Sequence, residues 1–152
     1  MIINFRIKQL FFDQPKVVKA VDRARRQVLI EAGAGIRRTA RASIRKHKGK
    51  RNRNVASKPG EPPFSHTGLL RRFILFGYDN QSKSVVVGPL RLHGSVIAEV
   101  LEHGGTATVT RVERGRRVRR RVRIAARPYM NPALDKELPK FPELWRDSIK
   151  RA

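Results

Sequence analysis

The chain has 152 residues, 39% of them apolar and 7% aromatic, which suits one domain with a small aliphatic core. The absence of cysteine excludes disulfides and thiolate metal sites, and no apolar run is long enough to span a membrane. Thirty-five Lys and Arg against twelve Asp and Glu give a formal charge of +23, an excess that calls for an anionic neighbour, with nucleic acid first and an acidic protein surface second.

Residues 2–12 alternate in part (Ile3, Phe5, Ile7), which predicts a first strand. The same segment lacks the basic-then-apolar order of a signal peptide, so an intracellular product is expected. Asp13 is placed to cap a helix with Pro15 just inside its start. Val17, Val18, Val21, Ala24, Val28, Ala32, Ile36, Ala40 and Ile44 then recur at spacings of three and four, which predicts one apolar stripe on a long helix to about Arg45. Gly33 and Gly35 interrupt its middle and predict a kink or a close packing point. Lys16, Lys19, Arg23, Arg26, Arg37, Arg38 and Arg41 fall on the opposite face, open to solvent or to a partner surface.

Residues 47–66 hold three prolines and two glycines and predict a long flexible loop. Its basic first half, 48–54, has the composition of a segment that orders only on contact with a partner. Thr67, Gly68, Leu69, Leu70, Arg71 and Arg72 predict one capped helical turn. Segments 73–78 and 84–87 form a hairpin around Asp79, Asn80, Gln81, Ser82 and Lys83. Residues 95–103 are a short helix closed by Gly104 and Gly105. Segments 106–111 and 117–124 form a second, basic hairpin, spanning about 106–125. Asn131 is expected to cap the closing helix, with Pro132 at its first position. That helix should break near Pro139 or Pro142 and bury Leu134, Leu138, Leu144, Trp145 and Ile149. The order predicts a single α+β domain over 1–152: a mainly antiparallel sheet of two hairpins, packed against a long N-terminal helix and a C-terminal helix.

Little in the sequence points to catalysis or metal binding. His47, His66, His93 and His103 share no helix face at ligand spacing, so no metal and no cofactor are expected. Glu99 and Glu102 lie on one side of a helical turn, which is compatible with acid–base work. Two exposed acids on a packing helix are the preferred account of them, because no pocket that would perturb a carboxylate is visible in the sequence. No glycine pattern cradles phosphate, and Ser65–His66 are neighbours that rarely face one another. A non-enzymatic protein is expected; a small nuclease using Glu99 or Glu102 is the competing catalytic reading.

The second hairpin carries the strongest chemical signal. Arg111, Arg114, Arg116, Arg117, Arg119, Arg120, Arg121 and Arg123 lie within thirteen residues. Alternation puts Val118, Arg120, Val122 and Ile124 on one face, and Arg117, Arg119, Arg121 and Arg123 on the other. Such a ladder of like charge needs anions, and guanidinium groups suit phosphate. No aromatic residues interleave with the arginines, so stacking on single-stranded bases is not expected. Contact with DNA should run through the backbone and depend on salt.

Three blocks carry a family resemblance. The first is Pro59-Gly60-Glu61-Pro62-Pro63-Phe64-Ser65-His66-Thr67-Gly68-Leu69-Leu70-Arg71. The second is Ile97-Ala98-Glu99-Val100-Leu101-Glu102-His103-Gly104-Gly105. The third is Ala126-Arg127-Pro128-Tyr129-Met130-Asn131-Pro132-Ala133-Leu134. In this order they resemble the neck and tail-completion proteins of tailed bacteriophages, often described as minor tail or virion morphogenesis proteins. In that family a Pro-Gly-x-Pro-Pro loop precedes Thr-Gly-x-Leu-Arg. A Tyr-Ala-x-x-x-Glu-x-Gly helix and an Ala-Arg-Pro-Phe-Met-x-Pro-Ala-Leu block follow. Here Ile97 stands for the Tyr, Tyr129 for the Phe, and Arg72-Phe73-Ile74 for Arg-Ser-Ile.

The resemblance implies a structural protein of the head–tail junction that assembles with itself as a ring around the DNA channel. Its partners would be other neck, connector or tail proteins, and genomic DNA through backbone contacts. It would sit in the virion, and in the host cytoplasm before assembly, without a membrane. It implies structural roles for Pro59, Gly60, Pro63, Thr67, Gly68, Leu69, Arg71, Glu102, Gly104, Arg127, Pro128, Tyr129, Pro132 and Leu134. The DNA- or partner-facing residues would be Arg114, Arg116, Arg117, Arg119, Arg120, Arg121 and Arg123. The alternative to this function is a basic nucleic-acid-binding module that contacts the phosphate backbone.

Overall fold

The computed structural model describes residues 13–46, 55–90, 96–113, 115–146 and 148–151. The strand expected over 2–12, the basic half of the loop, His47, His93, Ser95 and Arg114 lie outside them. The described residues form an α+β fold built on helix α1, Gln14–Ser43. The Asp13 carboxylate accepts the backbone N–H of Lys16 at 3.2 Å, and Pro15 needs no donor in the first turn. Helix α2 (Leu69–Arg72) is one turn, entered through Gly68 at φ +81°. Strands β1 (Ile74–Asp79) and β2 (Ser84–Pro89) pair antiparallel, from Ile74 opposite Pro89 to Asp79 opposite Ser84. Asp79 ties their turn by accepting from the Gln81 and Ser82 backbone and from the Ser82 hydroxyl.

Helix α3 (Ile97–His103) leads into the second antiparallel pair, β3 (Gly105–Glu113) and β4 (Arg116–Ile124). Among the described residues the two hairpins are separate two-stranded sheets, and they dock differently. The β1–β2 hairpin lies on α1, whereas the main contact of the β3–β4 hairpin is with α3. The chain closes with α4 (Asn131–Glu137), a 3-10 turn (Leu138–Lys140), α5 (Phe141–Trp145) and α6 (Ser148–Arg151). Pro139 and Pro142 divide α4, the 3-10 turn and α5, because neither can continue a helical hydrogen-bond ladder, and α5 ends where Arg146 turns extended at ψ 128°.

The core is small. Ile36, Ala40, Ile44, Ile74, Tyr129 and Ala133 are buried together, with Leu70, Val87, Leu101, Met130 and Phe141 packed around them. The α1 stripe is buried from Ala24 onward, but Val17, Val18 and Val21 are exposed. Gly33 is a close packing point in an unbroken helix, since a Cβ there would come within 2.6 Å of Val85 Cγ2. The basic face of α1 is not all solvated. Arg37 donates Nε to the Ile74 carbonyl at 2.9 Å and lies over Phe76, while Arg26 lies over Tyr78.

The closing segment corrects the sequence expectation. Leu134, Leu138, Trp145 and Ile149 are exposed and Leu144 is half-buried; Ala133, Glu137 and Ser148 are buried instead. The reason is the close approach of α4 to α1. Ala133 and Glu137 stand one turn apart on the contacting face. Glu137 Oε2 would lie 3.2 Å from a Cβ on Gly35, so a larger residue there would press on the carboxylate. The Thr39 hydroxyl donates to Glu137 Oε1 at 2.6 Å and Lys140 Nζ to both carboxylate oxygens at 2.9 Å. Those donors hold the Glu137 carboxyl below its usual range, Thr39 first and Lys140 second.

Candidate anion-binding interface

The β3–β4 hairpin has a packed root and a projecting arm. At the root Ala107 is 3% exposed and Ile124 half-buried; towards the tip Val112 is 70% exposed. Among the described side chains of β4, Val118 and Ile124 are half-buried and the others exposed. The apolar face expected from alternation therefore exists as a pattern but is only partly covered, with Val118 and Ile124 half-buried and Val122 exposed.

Cross-strand register adds what one strand's sequence does not contain. Arg117 stands opposite Val112, Arg119 opposite Thr110, Arg121 opposite Thr108 and Arg123 opposite Thr106. Residues directly opposite share a sheet face. One face therefore carries a row of four guanidinium groups beside a row of three hydroxyls. All seven of these residues are exposed. Among the described residues, the side chains of Arg117, Arg119, Arg121 and Arg123 make no ion pair, whereas Asp13, Asp22 and Glu137 pair with Lys16, Arg25 or Lys83, and Lys140. Arg120 lies on the other face with Val118, and Arg116 is exposed beside the turn.

The base of this arm is pinned by the three sequence blocks. The Gly60 N–H donates to the Ala126 carbonyl at 2.9 Å, and the Arg127 N–H donates to the Leu101 carbonyl at 2.6 Å. Arg127 Nε donates to the Ser57 carbonyl at 2.9 Å and its Nη1 to the Ala125 carbonyl at 3.1 Å. Within 55–66, Ser57, Pro63 and Ser65 are buried, and the Ser65 N–H donates to the Arg45 carbonyl. Gly104, at φ +77°, leaves room for the strand exit, because a Cβ there would come within 3.1 Å of the Ala126 nitrogen.

Glu102 is the second correction. It is buried, not an exposed acid on a packing helix. Its Oε2 accepts the backbone N–H groups of Tyr129 and Met130 at 2.9 and 3.0 Å, and its Oε1 accepts that of Asn131 at 2.9 Å. Helix α4 is therefore capped by a carboxylate from α3, and Asn131 is its first helical residue rather than its cap. Both Glu102 oxygens thus hold backbone donors of the 129–131 segment. Glu99, one turn away, is exposed.

The remaining motif residues fall around this knot. Tyr129 is 1% exposed, and its hydroxyl finds no hydrogen-bond partner among the described residues. Burial, with the Glu102 charge second, pushes the phenol up to about 12. Pro128 is half-buried behind it, while Pro59, Pro132, Leu69, Arg71 and Thr67 are exposed. His66 and His103 are exposed, and no group of three potential metal ligands occurs among the described residues. No helix among them is long and apolar enough to cross a membrane. Sequence reasoning missed the pairing of Ser57 with Arg127 and the capping role of Glu102. Neither contact has a local signal, since the partners lie 70 and at least 27 residues apart. In the comparisons with known proteins, no family model matches the chain, and neither a curated protein nor a solved structure does.

Proposed function

We propose that this chain is a non-catalytic structural subunit of the bacteriophage head–tail junction. It assembles with itself as a ring around the DNA channel and joins head to tail alongside other neck, connector or tail proteins. One observation carries the reading: the three blocks that resemble the neck and tail-completion family meet at one place. The 59–71 loop, the end of α3 and the 126–134 segment are tied by Gly60 to Ala126, Arg127 to Leu101 and Glu102 to residues 129–131. Motifs that interlock in this way support a shared scaffold better than scattered similarities do. Exposed Leu134, Leu138, Trp145 and Ile149, with Val17, Val18 and Val21 on α1, offer apolar surface for neighbouring subunits.

Electron microscopy of the purified protein across a concentration range, with mass measurement of the particles, tests the reading. Closed rings are expected. A chain that stays monomeric at every concentration, alone and with portal-bound heads, overturns it. A second reading, a basic module that binds nucleic acid as a monomer, is favoured by the exposed arginine face. Tight DNA binding by a monomer that never forms rings would select it.

A further inference from the structure

We propose that the Arg117–Arg119–Arg121–Arg123 face of the β3–β4 hairpin, with Thr106, Thr108 and Thr110 beside it, is a sequence-independent site for the phosphate backbone of duplex DNA. The inference deepens the junction reading, from which it takes the presence of DNA beside the chain.

Three features select this ligand. The first is periodicity. Alternate residues of a strand recur every 6.8 Å or so, which presents cations at regular steps along an extended polyanion. The second is the pairing of three of the four charges with a donor. Thr110, Thr108 and Thr106 stand directly across from Arg119, Arg121 and Arg123. A guanidinium group supplies charge and a fork of N–H donors, and a hydroxyl supplies one neutral donor, the usual set for phosphate oxygens. The third is what the face lacks. Val112 is its one apolar residue, and it carries no aromatic. Protein interfaces are centred on buried aromatic or aliphatic anchors, so an acidic protein surface would find no anchor here. Single-stranded nucleic acid would find nothing to stack on.

The two kinds of side chain act differently, and that gives the test. Each arginine that neutralises a phosphate releases a counterion, so it contributes about 0.9 to the slope of log affinity against log salt. A threonine hydroxyl adds a hydrogen bond and releases none. Fluorescence anisotropy of two duplex DNAs of unrelated sequence, at several salt concentrations, would be measured for the full chain. The variants are Arg117, Arg119, Arg121 and Arg123 all changed to Gln, and Thr106, Thr108 and Thr110 all changed to Val. These positions are exposed, and circular dichroism checks that both variants fold.

The arginine variant is expected to lose up to about 3.6 from the slope. The threonine variant is expected to bind several-fold more weakly at every salt concentration with its slope unchanged. Both duplexes should bind alike. Unchanged slope in the arginine variant overturns the proposal. So does binding to poly-glutamate but not to duplex DNA, which would assign the face to an acidic protein. Rings that form without DNA affinity would sink this inference and spare the junction reading. Monomers that bind DNA with the expected slopes would do the reverse.

Discussion

Glu102 and Tyr129 are 27 residues apart in the chain, yet the carboxylate of the first accepts the backbone N–H of the second at 2.9 Å. The same carboxylate takes the N–H groups of Met130 and Asn131. One side chain on α3 thus satisfies the donors that open α4, and it also fixes the strand exit to the closing helix. The base of the arginine arm depends on this contact, because Ala125 to Pro128 link β4 to the capped residues.

Replacing Glu102 by Ala should therefore be costly. It leaves one buried and two part-buried N–H donors unpaired, and hydrogen bonds to a charged group contribute about 1.5–3 kcal/mol each, though not additively. A net loss of about 3 kcal/mol is expected, which for a chain of this size lowers Tm by roughly 6–12 °C. Asn131→Ala should change stability by less than about 0.5 kcal/mol, as for an ordinary surface site. A thermal melt of the two variants decides it. If Asn131→Ala costs as much as Glu102→Ala, the capping assignment is wrong.

Tyr129→Phe is expected to stabilise the protein. The tyrosine hydroxyl is buried without a partner among the described residues, and an unsatisfied buried polar group costs about 1–3 kcal/mol. Removing it while keeping the ring should raise the unfolding free energy by about 1 kcal/mol, the low end of that range. Urea denaturation reads this directly, and a loss of stability would show that the hydroxyl has a partner.

Gly33→Ala should destabilise despite the better helix propensity of alanine. The new methyl would meet Val85 Cγ2 at 2.6 Å and Phe76 Cδ2 at 3.1 Å. Overpacking of this kind costs about 1–3 kcal/mol. The propensity gain offsets about 1 kcal/mol of that. A fall of about 1 kcal/mol is expected, from the same two terms. An increase in stability would mean that α1 and the β1–β2 hairpin separate easily.

Glu137 makes part of the stability depend on pH. Its folded carboxyl lies below the usual range because Thr39 and Lys140 donate to it. A depressed carboxylate contributes fully above its unfolded pKa, about 4.3, and loses that contribution as pH falls through the lower folded value. Wild type should exceed Glu137→Gln in denaturation midpoint at pH 7, and the gap should narrow towards pH 3. A constant gap from pH 7 to pH 3 would place the effect of the mutation in packing alone.

The elements were legible because each obeys local rules. The spacing of Ala24, Val28, Ala32, Ile36 and Ala40 marks α1, and Asp13 and Pro15 mark its start. Asp79 to Lys83 marks the first turn. Alternation in β4 separates Arg117, Arg119, Arg121 and Arg123 from Val118, Val122 and Ile124. What misled was pattern without a partner. Leu134 and Leu138 have the look of core residues, yet the approach of α4 to Gly35 turns Ala133 and Glu137 inward instead.

The sequence by itself determined the α+β element order, the strong positive charge and its concentration on one hairpin, because periodicity, turn chemistry and charge are properties of neighbours along the chain. The tertiary structure alone decided that Glu102 caps α4, that Arg127 clamps the loop at Ser57, and that threonines stand beside the arginine row. Those relationships join residues far apart in sequence. Their cause is the burial of unpaired donors and the register of two strands, and no local pattern encodes either.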